Sequence, residues 1–122
     1  MPRQDFIESL TGLGYSVTDL GNGLVWIPYV IQFGPRIGEE VRLGFQVGDD
    51  WPMNPPTGPH VSPQILPINP GGVHPNGAIQ ASPFGPDWEY WSRPYPNPPG
   101  WASTPRTLIT YLRHIAHLFR TL

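Results

Sequence analysis

Residues 51–56, WPMNPP, end a run in which Val41, Leu43, Phe45 and Val47 alternate with Arg42, Gly44 and Gln46. That alternation predicts a strand with one face on a core. The way it stops decides what kind of fold follows. Prolines at 52, 55 and 56 fix φ and turn the chain sharply, and Trp51 just before them is the aromatic that can anchor the turn. Upstream, YSVTDL (residues 15–20) and LVWIPYVIQF (24–33) are separated by GNG, which tolerates the positive φ of a hairpin turn. A meander of three antiparallel strands is therefore expected. Pro28 removes a ladder donor from the second strand, which predicts an edge position or a bulge there.

On either side of the meander the period becomes helical. In residues 3–14, RQDFIESLTGLG, the side chains Phe6, Ile7, Leu10 and Leu13 recur at helical spacing and Gly14 can end the helix. At the other end, Ser103 or Thr104 can cap and Pro105 suits a first helical position. Leu108, Leu112, Ile115, Phe119 and Leu122 then form one apolar stripe. Arg106, Arg113 and Arg120 run along another side with Thr110 and His117, as a solvated face or a docking surface for an acidic partner. Between meander and last helix lie 15 of the 18 prolines, a density that argues against long regular structure. Four of the five tryptophans lie in the same region, so packed loops rather than a linker are expected. The layout is α+β, one domain over residues 1–122, with helices against an antiparallel sheet.

Composition narrows the function classes. The 122 residues carry a net charge of −2, and the seven basic residues, all arginine, are scattered, which gives no footprint for a phosphate backbone. No apolar run reaches the roughly 20 residues of a membrane span, and no secretory leader is evident, so a cytoplasmic protein without nucleic acid or membrane partners is expected. The chain has no cysteine, which excludes disulfides, thiolate metal sites and thiol nucleophiles. It has no lysine either, so its only acceptor amine is the N-terminus.

WPMNPP resembles the YPFxPP segment of the ubiquitin-conjugating enzyme (UBC) fold, with Trp51 in place of tyrosine. About twenty residues later, His74, Pro75 and Asn76 match the HPN triplet that leads into that family's catalytic GxIC segment. IQFGP (31–35) resembles its IxGP turn, and GWASTPRTLITYL (100–112) the segment that enters its crossover helix. WEYWSRP (88–94) is similar to the ending of a prokaryotic branch found with ubiquitin-like proteins, activating enzymes and deconjugating peptidases. The resemblance implies a UBC-like domain: N-terminal helix, antiparallel β-meander, proline-rich active-site-like loops and C-terminal crossover helix.

The departures from the family are chemical. GAIQ (77–80) aligns with GxIC and puts Gln80 where the nucleophilic cysteine belongs, while the spacer after Asn76 is gone. The stretch from Gln80 to Trp101 is longer than the family norm, and no helices follow the crossover helix. A glutamine amide neither attacks nor leaves as a thiolate does. The resemblance then implies a non-catalytic protein that binds a ubiquitin-like protein, an activating enzyme or another conjugating protein in a bacterial pathway, of a kind that can serve phage defence.

Two other readings stay open: a genuine conjugating enzyme whose cysteine was substituted or whose nucleophile is unconventional, and an unrelated α+β domain. For a substituted cysteine, Ala78, Ala81 and Ser82 are the candidate positions. No cofactor is implied. Ser82, His74 and Asp87 offer the residue types of a hydrolase triad, and His60, His74 and Asp87 those of a metal site, without a spacing that assembles either. His114 and His117, three apart on a helix, lack a third ligand nearby and are expected at the surface. In the family the asparagine matched by Asn76 is taken to stabilise an oxyanion and the histidine to hold the loop. Without a nucleophile, hydrogen bonding to backbone is the expected work of both. Trp88, Tyr90, Trp91, Arg93 and Tyr95 either pack their loop or form a partner-binding patch, since Trp, Tyr and Arg are enriched at binding hot spots. Arg93 can stack on a ring or pair with Asp87 or Glu89.

Overall fold

In a computed structural model the chain is described at residues 2–65, 79–93, 95–96 and 100–121. Helix α1 (Pro2–Gly12) leads into strands β1 (Thr18–Gly21), β2 (Leu24–Val30), β3 (Glu40–Gln46) and β4 (His60–Ser62). A hairpin follows, β5 (Ile79–Ser82) and β6 (Gly85–Trp91), then a short 3-10 turn (Trp101–Ser103) and helix α2 (Leu108–Arg120). All six strands form one antiparallel sheet in the order β1-β2-β3-β4-β6-β5. The architecture is the expected α+β.

The helices share one face of the sheet. Phe45 on β3 touches Phe6 of α1 and Tyr111 of α2, with ring centroids 5.2 and 5.9 Å apart. Val25, Ile27, Tyr29, Val41, Leu43, Val61 and Trp91 are buried on that side, each two residues from the next along its strand where the strand supplies more than one. The WPMNPP turn is anchored as its aromatic suggests: Trp51 is buried edge-on to Phe6, and the Trp101 indole N–H donates to Pro52 O at 2.9 Å. Pro28 pairs with Arg42 on one side, while β1 runs out at Trp26, so its missing N–H falls on a locally open edge.

Four local expectations are corrected. The described residues between 52 and 105 hold three strands, because their prolines fall almost entirely between them. Among the described residues of this stretch, the proline inside a strand, Pro86, sits where the β5–β6 register slips between Ala81 and Ser82. Helix α2 starts at Leu108 rather than Pro105. Thr104 is extended, as a residue before proline tends to be, and its hydroxyl donates to Trp101 O; Thr107 caps instead, accepting the Thr110 N–H. Leu13 is exposed, because α1 already ends there, with the Tyr15 N–H on Leu10 O and the Gly14 N–H on Thr11 O. His114 is buried rather than at the surface, its Nε2 3.3 Å from Arg93 O and its ring against Tyr95.

Candidate functional site

The face of the sheet away from the helices carries its own line of side chains. The strand register places Trp26, Gly44, His60, Tyr90 and Gln80 in one row across β2, β3, β4, β6 and β5. The β5–β6 turn folds Phe84 over the middle of this row. Its ring stacks on Trp88 (4.7 Å) and lies 4.8 Å from His60, which has Tyr90 at 4.8 Å on a further contact. Gly44 makes this possible, since a Cβ there would come within 2.8 Å of the Phe84 ring.

His60 is the chemically distinctive member. It is 2% exposed, and its Nδ1 is hydrogen-bonded to Ser82 Oγ at 2.8 Å. Ser82 Oγ also accepts the Phe84 N–H at 3.1 Å, so a neutral ring taking the hydroxyl proton at Nδ1 satisfies that nitrogen and the hydroxyl. Burial pushes the His60 pKa down to about 4, which keeps the ring neutral near pH 7. A nucleophilic serine needs a base able to take its proton and a third group to steady the imidazolium. This base is weak, and its Nε2 is buried with no hydrogen-bond partner among the described residues. The pair is a latch that holds the β5–β6 turn against β4.

Beside the latch the same face opens into a groove of about 680 Å³, with Trp26, Arg42, Ser62 and Gln64 in its lining and Glu40 and Asp87 as its acidic members. The Arg42 guanidinium lies over the Trp26 ring, 5.1 Å from its centroid. Among the described residues the ion pairs join Arg3 to Asp19 and Arg36 to Glu39, leaving Arg42 without one. Gln64 Nε2 donates to Pro86 O (2.9 Å) and Trp88 O (3.0 Å), which ties the wall of the groove to β6. A polar, partly aromatic groove with one stacked guanidinium suits binding rather than bond breaking.

Of the residues singled out in the sequence, Gln80 is half-buried in β5 opposite Tyr90, Ala81 is exposed opposite Glu89, and Ser82 is in the latch. His74, Pro75, Asn76 and Ala78 lie outside the described residues. Trp88, Trp91 and Arg93 are buried, while Tyr90 and Tyr95 are half-buried. Arg93 stacks over Trp91 at 5.4 Å, the first of its two anticipated roles. Burial lowers its pKa, and the charge of Glu89 offsets part of that effect. Glu89 is itself fully buried on the helix side, its Oε1 accepting the Trp91 indole N–H (2.9 Å) and the Ile65 N–H (3.1 Å). Asp87 lines the groove; the triad and the metal site considered for it both include His74, which lies outside the described residues. Among the described residues, no cluster of three His, Asp or Glu side chains could hold a metal.

Sequence reading did not find the His60–Ser82 pair or the Trp26–Arg42 groove. The first depends on a register 22 residues apart in the chain. The second left a trace: Val25, Ile27 and Tyr29 claim one face of β2, so Trp26 has to stand on the other.

Compared with protein-family models, curated proteins and solved structures, the sequence matches none of them.

Proposed function

We propose that this protein is a non-catalytic UBC-like binding module of a bacterial ubiquitin-like conjugation pathway, engaging a ubiquitin-like protein or a conjugation partner. The observation that carries the reading is Gln80. It occupies the position aligned with the family's nucleophile in a chain without cysteine, and it sits paired in a strand as a half-buried structural residue. The order of α1, a four-strand meander and α2 on one face of the sheet is compatible with that fold. Thioester transfer has no thiol to use here. A covalent role would fall to Ser82, whose partner His60 is a poor base for the reasons given above.

The test is incubation with the activating enzyme and ubiquitin-like protein of its own pathway plus ATP, read by intact-mass spectrometry and size exclusion. The expected result is a complex without mass gain. A covalent adduct overturns the non-catalytic reading, and its response to thiol reductant, hydroxylamine or mild base identifies the bond. Absence of both complex and adduct overturns the assignment to such a pathway.

A further inference from the structure

Charge is unevenly divided along the chain. All nine acidic side chains lie at or before Glu89, while Arg93, Arg106, Arg113 and Arg120, with His114 and His117, follow it. A second pocket, of about 370 Å³, lies on this basic part of the molecule, between one side of α2 and the residues around Tyr95 and Pro105. No carboxylate lines it.

Thr110, Arg113 and His117 reach the pocket from successive turns of α2, at the spacing that puts side chains on one side of a helix. Arg113 and His117 are exposed, and Arg113 joins no ion pair among the described residues. Thr110 has a proton to give as well. Its hydroxyl is 3.1 Å from that of Thr107, which accepts the Thr110 N–H at 3.4 Å; when Thr107 donates to Thr110 Oγ1, the Thr110 proton is left over. The Thr104 hydroxyl, by contrast, is committed to Trp101 O. His114 also lines the pocket. It is 8% exposed, its Nε2 is 3.3 Å from Arg93 O, and its Nδ1 has no hydrogen-bond partner. A buried polar atom left unpaired beside two basic side chains calls for a ligand to complete it.

The donor set selects among anions. A carboxylate presents two oxygens in one plane, whereas a phosphomonoester spreads up to two charges over three strongly accepting oxygens. A guanidinium, an imidazole and a hydroxyl on successive helical turns match the second better than the first. The remaining wall, Tyr95, Pro96 and Pro105, is largely apolar, and the volume leaves space for a body beyond the phosphate.

We propose that this pocket binds a phosphomonoester carried on a small ring-bearing body, with the phosphate on Arg113, His117 and Thr110 and the ring against Tyr95 and the two prolines. The proposal goes beyond the binding-module reading and does not depend on it. A free phosphorylated metabolite and a phosphorylated aromatic side chain offer the same chemistry.

Titration of the full chain with phenyl phosphate at pH 7.5, followed by backbone amide chemical shifts, tests it against inorganic phosphate and phenylacetate. Phenyl phosphate is expected to bind about tenfold more tightly than either, through ring burial in the first comparison and the extra charge and oxygen in the second. The shifts should centre on residues 110–117. Arg113→Gln should reduce phenyl phosphate to the level of phenylacetate. Arg120→Gln, two turns farther along α2 and outside the pocket, should change binding less than about twofold at physiological salt, where charges at that separation are largely screened. Shifts that map away from α2, equal binding of phenyl phosphate and phenylacetate, a preference that survives Arg113→Gln, or an equal loss with Arg120→Gln overturns the proposal. Adenosine monophosphate and phosphotyrosine amide, titrated in the same way, distinguish the two sources by which binds more tightly. Failure of both to exceed inorganic phosphate also overturns it.

Discussion

The helix-side face of the sheet presents Val25, Ile27, Val41, Leu43 and Phe45, while the opposite face, one residue out of step on the same strands, presents Trp26, Arg42 and Gly44. The first is covered by two helices and closes completely. Among the described residues, the second is covered in its centre by one ring, Phe84, and a Ser–His hydrogen bond, and it stays open over Arg42. The difference teaches where stability and recognition reside in this molecule. The closed face gains its stability from apolar area removed from water, whereas the open face keeps unspent hydrogen-bonding capacity and gives up some of that gain.

The largest test of this division is Phe45→Ala. Phe45 is fully buried between Phe6 and Tyr111, so truncation removes its transfer free energy and leaves a cavity, costing about 3–5 kcal/mol. Phe84→Ala on the other face removes a half-buried ring and should cost about 1–2 kcal/mol. Urea denaturation of both variants measures the two. Equal costs would make the outer face a second core and break the comparison.

An effect below that of Phe45→Ala, and one that sharpens the comparison, is expected from acid. The folded-state pKa of His60 lies near 4, below its ordinary value of 6.5, so between those values the unfolded chain binds the extra proton. Stability is therefore fully present above pH 6.5 and falls as the pH drops toward 4, by up to about 3 kcal/mol for a shift of this size. His114 is lowered by burial as well and adds loss of the same sign. Denaturation midpoints between pH 7 and 4 for the native protein and His60→Gln isolate the first contribution. The variant should be less stable at pH 7 and lose much less on acidification. An unchanged acid slope would remove His60 as the titrating group of the outer face.

How far each face could be read from the sequence follows from the same division. Period-two alternation exposed Phe45 and its neighbours, and helical spacing exposed Phe6, Leu10, Ile115 and Phe119, because a closed apolar face repeats with the geometry of its element. The WPMNPP turn was legible because a Trp before fixed prolines has few other uses. The hairpin of β5 and β6 was hidden by prolines whose placement between strands, rather than number, decides what can pair. The outer site was illegible for a different reason. Ser82 and His60 meet only through the order β4-β6-β5, and Glu89, charged by type, is buried because an indole and a backbone N–H converge on it. None of these contacts leaves a local period. Composition could suggest that Trp88 and Trp91 form either core or patch, and the choice between them needed their burial.

The smallest expected change in stability belongs to the cation of the open groove. Arg42 is exposed, joins no ion pair among the described residues, and contributes chiefly a stacking contact with Trp26. Such a contact at an exposed site is worth about 0.5–1 kcal/mol, so Arg42→Gln should shift the denaturation free energy by no more than that. A guanidinium that matters little to folding keeps its hydrogen-bonding capacity for a ligand, as an open recognition face requires. A loss of stability several times larger would instead make Arg42 a structural clamp on Trp26, and the outer face would then be a cover whose groove is incidental.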